Sequence, residues 1–145
     1  MLAASVTACT IVVATRASRR GEELLALTLC GLCAAAVSPW AWGHHWVWLL
    51  PLGAFLVTLA LGSTARPRCP VWILPAALVP LTVPPVLALA VPPPNHQPAL
   101  DTGPVAFVLG NVYVVVFAAT LLASVVHLSR LDPPAARAGL GRRSR

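Results

Sequence analysis

A chain of 145 residues that is 58% hydrophobic and only 10% charged holds more apolar surface than one small core can bury, since soluble domains carry about 25% charged residues. That balance excludes an ordinary soluble enzyme domain and makes lipid part of the solvent. The net charge of +6 comes from ten basic residues, all arginine. They stand in short runs between apolar segments, which serves membrane orientation and not a phosphate backbone, so no nucleic-acid partner is expected.

The first apolar run, residues 1–15, falls about a turn short of the roughly 20 residues that cross a bilayer core. Arg16, Arg19 and Arg20 follow it. No basic stretch precedes it and no small-residue cleavage site follows, so no secretory signal is expected there. The second run, 24–43, is long enough and follows Glu22 and Glu23, acids that suit a helix N-terminus. The third, 46–65, stops at Arg66 and Arg68. The fourth, 71–91, is interrupted by Pro75, Pro80, Pro84 and Pro85. Prolines free backbone carbonyls, so this helix either packs inside a bundle, beside a polar cavity, or is merely kinked. The segment 92–104 is too rich in proline to be helical. The fifth run, 105–129, is the longest, and Arg130 closes it. The tail, 132–145, is basic and rich in proline, alanine and glycine, and is expected to be a disordered cytoplasmic end.

All ten arginines fall within 16–23, 62–70 and 130–145, while the connections near 38–46 and 92–104 hold none and carry a single charge, Asp101. The positive-inside rule places the first three segments in the cytoplasm and the other two outside. The expected fold is therefore all-α, a polytopic membrane helical bundle of about five spans over residues 1–131. Its N-terminus lies outside and its C-terminus in the cytoplasm. Because Met1 already stands inside an apolar run, the chain is expected to be the C-terminal piece of a larger protein.

Cys30-Gly31-Leu32-Cys33 has the C-x-x-C form of redox and metal motifs. Within a span, two cysteines one turn apart read more simply as small apolar residues. His127, three residues before Arg130, is expected at the interface, reaching toward the cytoplasm. Asn111, about two turns into the fifth run, is expected to face protein and not lipid.

The outer connection "SPWAWGHHWVWLLP", Ser38 to Pro51, sets His44 and His45 among Trp40, Trp42, Trp46 and Trp48. The tryptophans suit an interfacial aromatic belt. Ser38 precedes a proline and favours extended backbone, so the third helix is expected to start at Gly43 or His44. Its first N–H groups and positive dipole end would face outward. His44 and His45 there suit an anion at headgroup depth, above all a lipid-linked phosphate, or are simply two histidines facing water. No carboxylate or further ligand stands nearby in sequence, so no metal site is expected. His96 and Asp101 could join them only from the other outer loop.

"VSPWAWGHHWVWLLP", Val37 to Pro51, resembles the "SP-x-S/A-W-x-HHW-x-W-x-x-P" signature of the polyprenol-phosphate-mannose-dependent α-1,2-mannosyltransferases, glycosyltransferase family 87. "RASRRGEELLALTLCGLCAAAVSPW", Arg16 to Trp40, resembles the stretch leading into it, a basic turn, an acidic helix start and an apolar span. Gly43 stands where the family more often has serine. The resemblance implies a GT-C-like membrane enzyme that moves mannose or another hexose from a polyprenyl-phosphate donor to a glycolipid or glycan acceptor outside the cytoplasm. It implies that His44 and His45 bind the lipid phosphate, and it calls for no cofactor. The family's early outer-loop carboxylate, its general base, has no counterpart before the motif, and five spans are fewer than the family has. The chain is thus expected to be the C-terminal part of such an enzyme in a bacterial cell membrane, inactive alone. The alternatives are a small non-catalytic membrane protein that binds a lipid phosphate or a partner through the same loop, and a transporter subunit.

Overall fold

The computed structural model of the protein describes residues 1–38, 43–62, 70–83 and 103–131, and every regular element among them is helical. Helix α1, Leu2–Ser18, runs a turn past the expected boundary and takes Arg16 into its last turn. Its end is set locally. The N–H of Gly21 binds the Ser18 carbonyl at 2.9 Å and that of Glu22 binds the Ala17 carbonyl at 3.0 Å, the paired bonds of a Schellman stop. That stop needs a left-handed residue, and Gly21 supplies it at φ 75. Helix α2, Glu23–Val37, starts at once, with Glu23 in its first turn and the Ser18 hydroxyl donating to that carboxylate at 3.0 Å. It ends where Ser38 turns extended, at φ −75 and ψ 125, as a residue before proline should. The remainder of the expected second span, 39–42, lies outside the described residues.

A 3-10 helix, Gly43–Trp48, leads into α3, Leu49–Leu61. The proline-interrupted run is built in pieces, a 3-10 turn Pro70–Trp72, α4 at Ile73–Leu78 and a second 3-10 turn Val79–Thr82; its expected continuation to residue 91 lies outside the described residues. The last expected span divides into α5, Pro104–Gly110, and α6, Val112–Leu131. The ladder is shared and not lost between them. The Asn111 N–H reaches both the Phe107 and Val108 carbonyls, at 3.1 and 3.2 Å, and Val115 N–H binds the Asn111 carbonyl at 3.0 Å. The Asn111 amide also donates to the Phe107 carbonyl at 2.8 Å, so its polar group is met within its own helix. The tail 132–145 and the loop around His96 and Asp101 lie outside the described residues. Among the described helices α6 alone is long and apolar enough to cross a membrane; α1, α2, the run through α3 and the run through α4 are apolar but shorter.

Helix α2 sits at the centre, packed on α1, α3 and α6. Its Leu25, Leu29 and Leu32 are fully buried. Around them the contacts are made by small side chains, Ala14 and Ala17 on α1, Ala26, Gly31 and Ala35 on α2, and Ala119 and Ala123 on α6. Buried Thr10, Thr28, Thr120 and Ser124 return their hydroxyls to a carbonyl four residues back, at 2.7 to 2.8 Å. Large apolar residues such as Ile11, Val12, Leu27, Leu50, Val57 and Leu122 face outward instead. The small residues let helix backbones approach closely, and buried leucine, valine and phenylalanine fill the space around them. So many outward-facing large apolar side chains suit a surface met by lipid.

The two ends of the bundle differ. At one end Arg20, in the α1–α2 turn, donates to the Leu128 carbonyl near the C-terminus of α6, where a cation meets carbonyls that have no helical partner. Beside it Phe55, Trp72 and His127 form an edge-on aromatic cluster with centroids 4.9 to 6.3 Å apart. His127 is only 7% exposed. The expectation that it reaches to the interface is therefore corrected, because Phe55 of α3 and Trp72 of the 3-10 turn close over it. At the other end Trp46, Thr82 and Tyr113 meet.

Candidate functional site

The turn that carries His44 and His45 is the 3-10 helix Gly43–Trp48, starting where expected after Ser38. The description of Gly43, His44 and His45 stops at the backbone. Trp40 and Trp42 lie outside the described residues. What holds the turn is visible in the next residues.

Trp46 is 8% exposed and stacks on Tyr113 of α6, centroids 5.0 Å apart and planes 23° from parallel. The Tyr113 hydroxyl donates to the Thr82 carbonyl at 3.0 Å. Thr82, itself buried, donates its hydroxyl to the Val79 carbonyl at 2.6 Å. Thr82 is the last helical residue before Pro84 and Pro85, which have no N–H to give its carbonyl. Pro85 stands three residues on, where a continued 3-10 helix would place its donor, and Tyr113 supplies one from α6. Two residues on from Trp46, Trp48 lies across α2 so closely that a Cβ on Gly31 would overlap its indole.

These contacts correct the aromatic-belt expectation for Trp46, which is a core residue. Trp48 is 37% exposed and uses its covered face to dock the turn on α2. The 3-10 helix is therefore clamped on two sides, through Trp46 to α6 and through Trp48 to α2. Chemically, that presents the first N–H groups of a helical turn, with two adjacent imidazole-bearing residues, at the end of the bundle opposite Arg20.

Sequence reasoning missed Tyr113 and Gly31. Tyr113 was detectable in principle, since it is the chain's one tyrosine and sits in a valine run, where a phenol needs a partner. Gly31 was hidden by the C-x-x-C around it. Of those cysteines, Cys33 is buried with its Sγ 3.9 Å from the Thr7 hydroxyl, while Cys30 is exposed. Among the described residues no group of three or more His, Cys, Asp or Glu side chains lies together.

No family model matches the chain, and no solved structure matches it. Two curated relatives do. One, from Mycobacterium tuberculosis strain H37Rv, is a polyprenol-phosphate-mannose-dependent α-(1-2)-phosphatidylinositol mannoside mannosyltransferase, 46% identical over 61 residues. The other, from strain CDC 1551 of the same species, is a polyprenol-phosphate-mannose-dependent α-(1-2)-phosphatidylinositol pentamannoside mannosyltransferase, 41% identical over 51 residues. Both are mannosyltransferases with one donor class. The matched stretches cover 42% and 35% of this chain but only 14% and 12% of the two relatives, so the chain matches a small part of either.

Proposed function

We propose that this chain is part, the C-terminal part, of a family 87 glycosyltransferase that moves mannose or another hexose from a polyprenyl-phosphate donor to a glycolipid or glycan acceptor. Residues 1–131 form its membrane domain of five spans in a bacterial cell membrane, N-terminus outside, and 132–145 form a cytoplasmic tail. The observation that carries the reading is the clamped turn Gly43–Trp48, whose sequence resembles the family's His-His-Trp signature. The two partial mannosyltransferase relatives support the same donor class.

In this reading His44 and His45 hold the phosphate of the donor lipid. The acceptor hydroxyl attacks the anomeric carbon, the bond to the phosphate oxygen breaks, and the polyprenyl phosphate departs with the negative charge. Hydrogen bonds to that phosphate favour departure because they strengthen as its charge grows. A carboxylate must take the acceptor's proton. Asp101 is the one acid in the two arginine-free connections and the one candidate for this role within the chain. It lies after the histidine motif, whereas the family's base precedes it, so the reading assigns the base to a further segment. Turnover that vanishes in Asp101→Asn would overturn that assignment.

The test is equilibrium binding of a polyprenyl monophosphate to the chain in phosphatidylcholine nanodiscs. One charge-assisted hydrogen bond is worth about 1.5–3 kcal/mol, so His44→Ala or His45→Ala should lower affinity roughly 10- to 150-fold. Neighbours on a helix point in different directions, and one of the two can dominate. Val47→Ala, at an exposed apolar neighbour, should change little. Full affinity in both histidine variants would remove the phosphate role.

A further inference from the structure

Tyr113 touches two segments that each need outside support. A six-residue 3-10 helix has poor hydrogen-bond geometry and does not hold its own shape well, and Gly43–Trp48 is such a helix. Trp46, the residue after His45, is where that turn meets α6, stacked 5.0 Å from the Tyr113 ring. The second segment is the last turn of the proline-interrupted helix, whose terminal carbonyl on Thr82 receives the Tyr113 hydroxyl at 3.0 Å. A half-buried phenol loses water on folding and repays that loss only through such a bond. Ring and hydroxyl thus do separate jobs. The ring fixes the turn against α6, and the hydroxyl fixes α6 against the outer end of the proline-interrupted helix.

We propose that Tyr113 is the positioning residue of the lipid-phosphate site, its ring locking the turn that carries His44 and His45 against α6. The inference rests on the phosphate reading above. A turn left to rock on Trp48 alone would present its N–H groups and its two histidines in many orientations, and an anion site loses affinity when its donors are not pre-set. Loss of Tyr113 should therefore affect recognition of the phosphate group and spare the affinity for the polyprenyl chain.

The experiment compares a polyprenyl monophosphate with the uncharged polyprenol of the same length, binding to the chain in phosphatidylcholine nanodiscs. The readout is the ratio of the two affinities, which a general loss of fold would not shift. Tyr113→Leu should lower that ratio roughly 2- to 10-fold, the weight of one aromatic pair. Tyr113→Phe, which keeps the ring and loses the Thr82 bond, should recover most of it. An unchanged ratio in Tyr113→Leu, or an equal fall for both lipids, overturns the positioning role. If His44→Ala and His45→Ala lower the ratio while Tyr113→Leu does not, the inference fails alone. If the histidine variants also keep the full ratio, the phosphate reading fails and takes the inference with it.

Discussion

A methyl group added at Gly31 has no room, because the Trp48 indole, including its Cγ and Cδ2, already fills the position. In an isolated helix, glycine to alanine is favourable by about 1 kcal/mol. Forcing a carbon into a packed contact costs about 1–3 kcal/mol. The overlapping atoms lie at the root of the indole and not at the tip of a flexible chain, so the cost should win. Gly31→Ala is expected to lower unfolding stability in detergent micelles. In a Trp48→Ala background the obstacle is gone, and the same change should raise stability instead. Stabilisation in both backgrounds would mean that Trp48 does not lie on α2. This contact also changes the meaning of Cys30-Gly31-Leu32-Cys33, where the glycine between the cysteines sets how closely the histidine-bearing turn approaches α2.

At the scale of the helix, Thr120 and Ser124 show what the inner face of α6 requires. Both are fully buried, yet their hydroxyls donate along their own helix, to the Val116 and Thr120 carbonyls at 2.8 and 2.7 Å. The neighbouring helices therefore need their size more than their polarity. Thr120→Val keeps the shape and leaves the Val116 carbonyl its backbone partner, so stability should change by no more than about 1 kcal/mol. Thr120→Leu adds volume at a close approach and should cost about 1–3 kcal/mol. A Thr120→Val loss as large as the leucine loss would mean that the hydroxyl serves another helix. Legibility in the sequence follows the same division. Helix ends governed by adjacent residues could be read there, as at Glu22 and Glu23 where α2 begins and at Ser38 before its proline. The start of a helical turn at Gly43 or His44 was equally legible, and it begins at Gly43 as the 3-10 lead into α3. Burial governed by distant residues could not be read. His127 reads as interfacial until Phe55 and Trp72 are known to enclose it, and Trp46 reads as a belt residue until Tyr113 is seen beneath it. Periodicity gave no help, since residues on both faces of these helices are apolar.

For the whole molecule, outward-facing apolar side chains and the length of the last helix both suit a bilayer. Alanine, glycine, serine and threonine stand at the helix contacts beside buried leucine, valine and phenylalanine, and many further leucine, isoleucine and valine side chains face outward, an apolar surface that suits lipid. The backbone ladder runs through Asn111, so Pro104–Leu131 can act as one rod. At 1.5 Å per residue it reaches about 40 Å, beyond the roughly 30 Å hydrocarbon core. Both of its ends should then emerge from the membrane, on opposite sides. Gly103 stands exposed at one end and Arg130 at the other, the latter in register with Arg20 and its bond to Leu128. In a background with Cys9, Cys30, Cys33 and Cys69 replaced by alanine, Gly103→Cys should react with an impermeant maleimide only in right-side-out vesicles. Arg130→Cys should react only in inverted ones, since arginines are retained on the cytoplasmic side. Two labels on one side would mean that this rod does not cross. Labelling of both in vesicles of either orientation, with release of the chain by carbonate, would make α6 the core helix of a protein that only associates with the membrane.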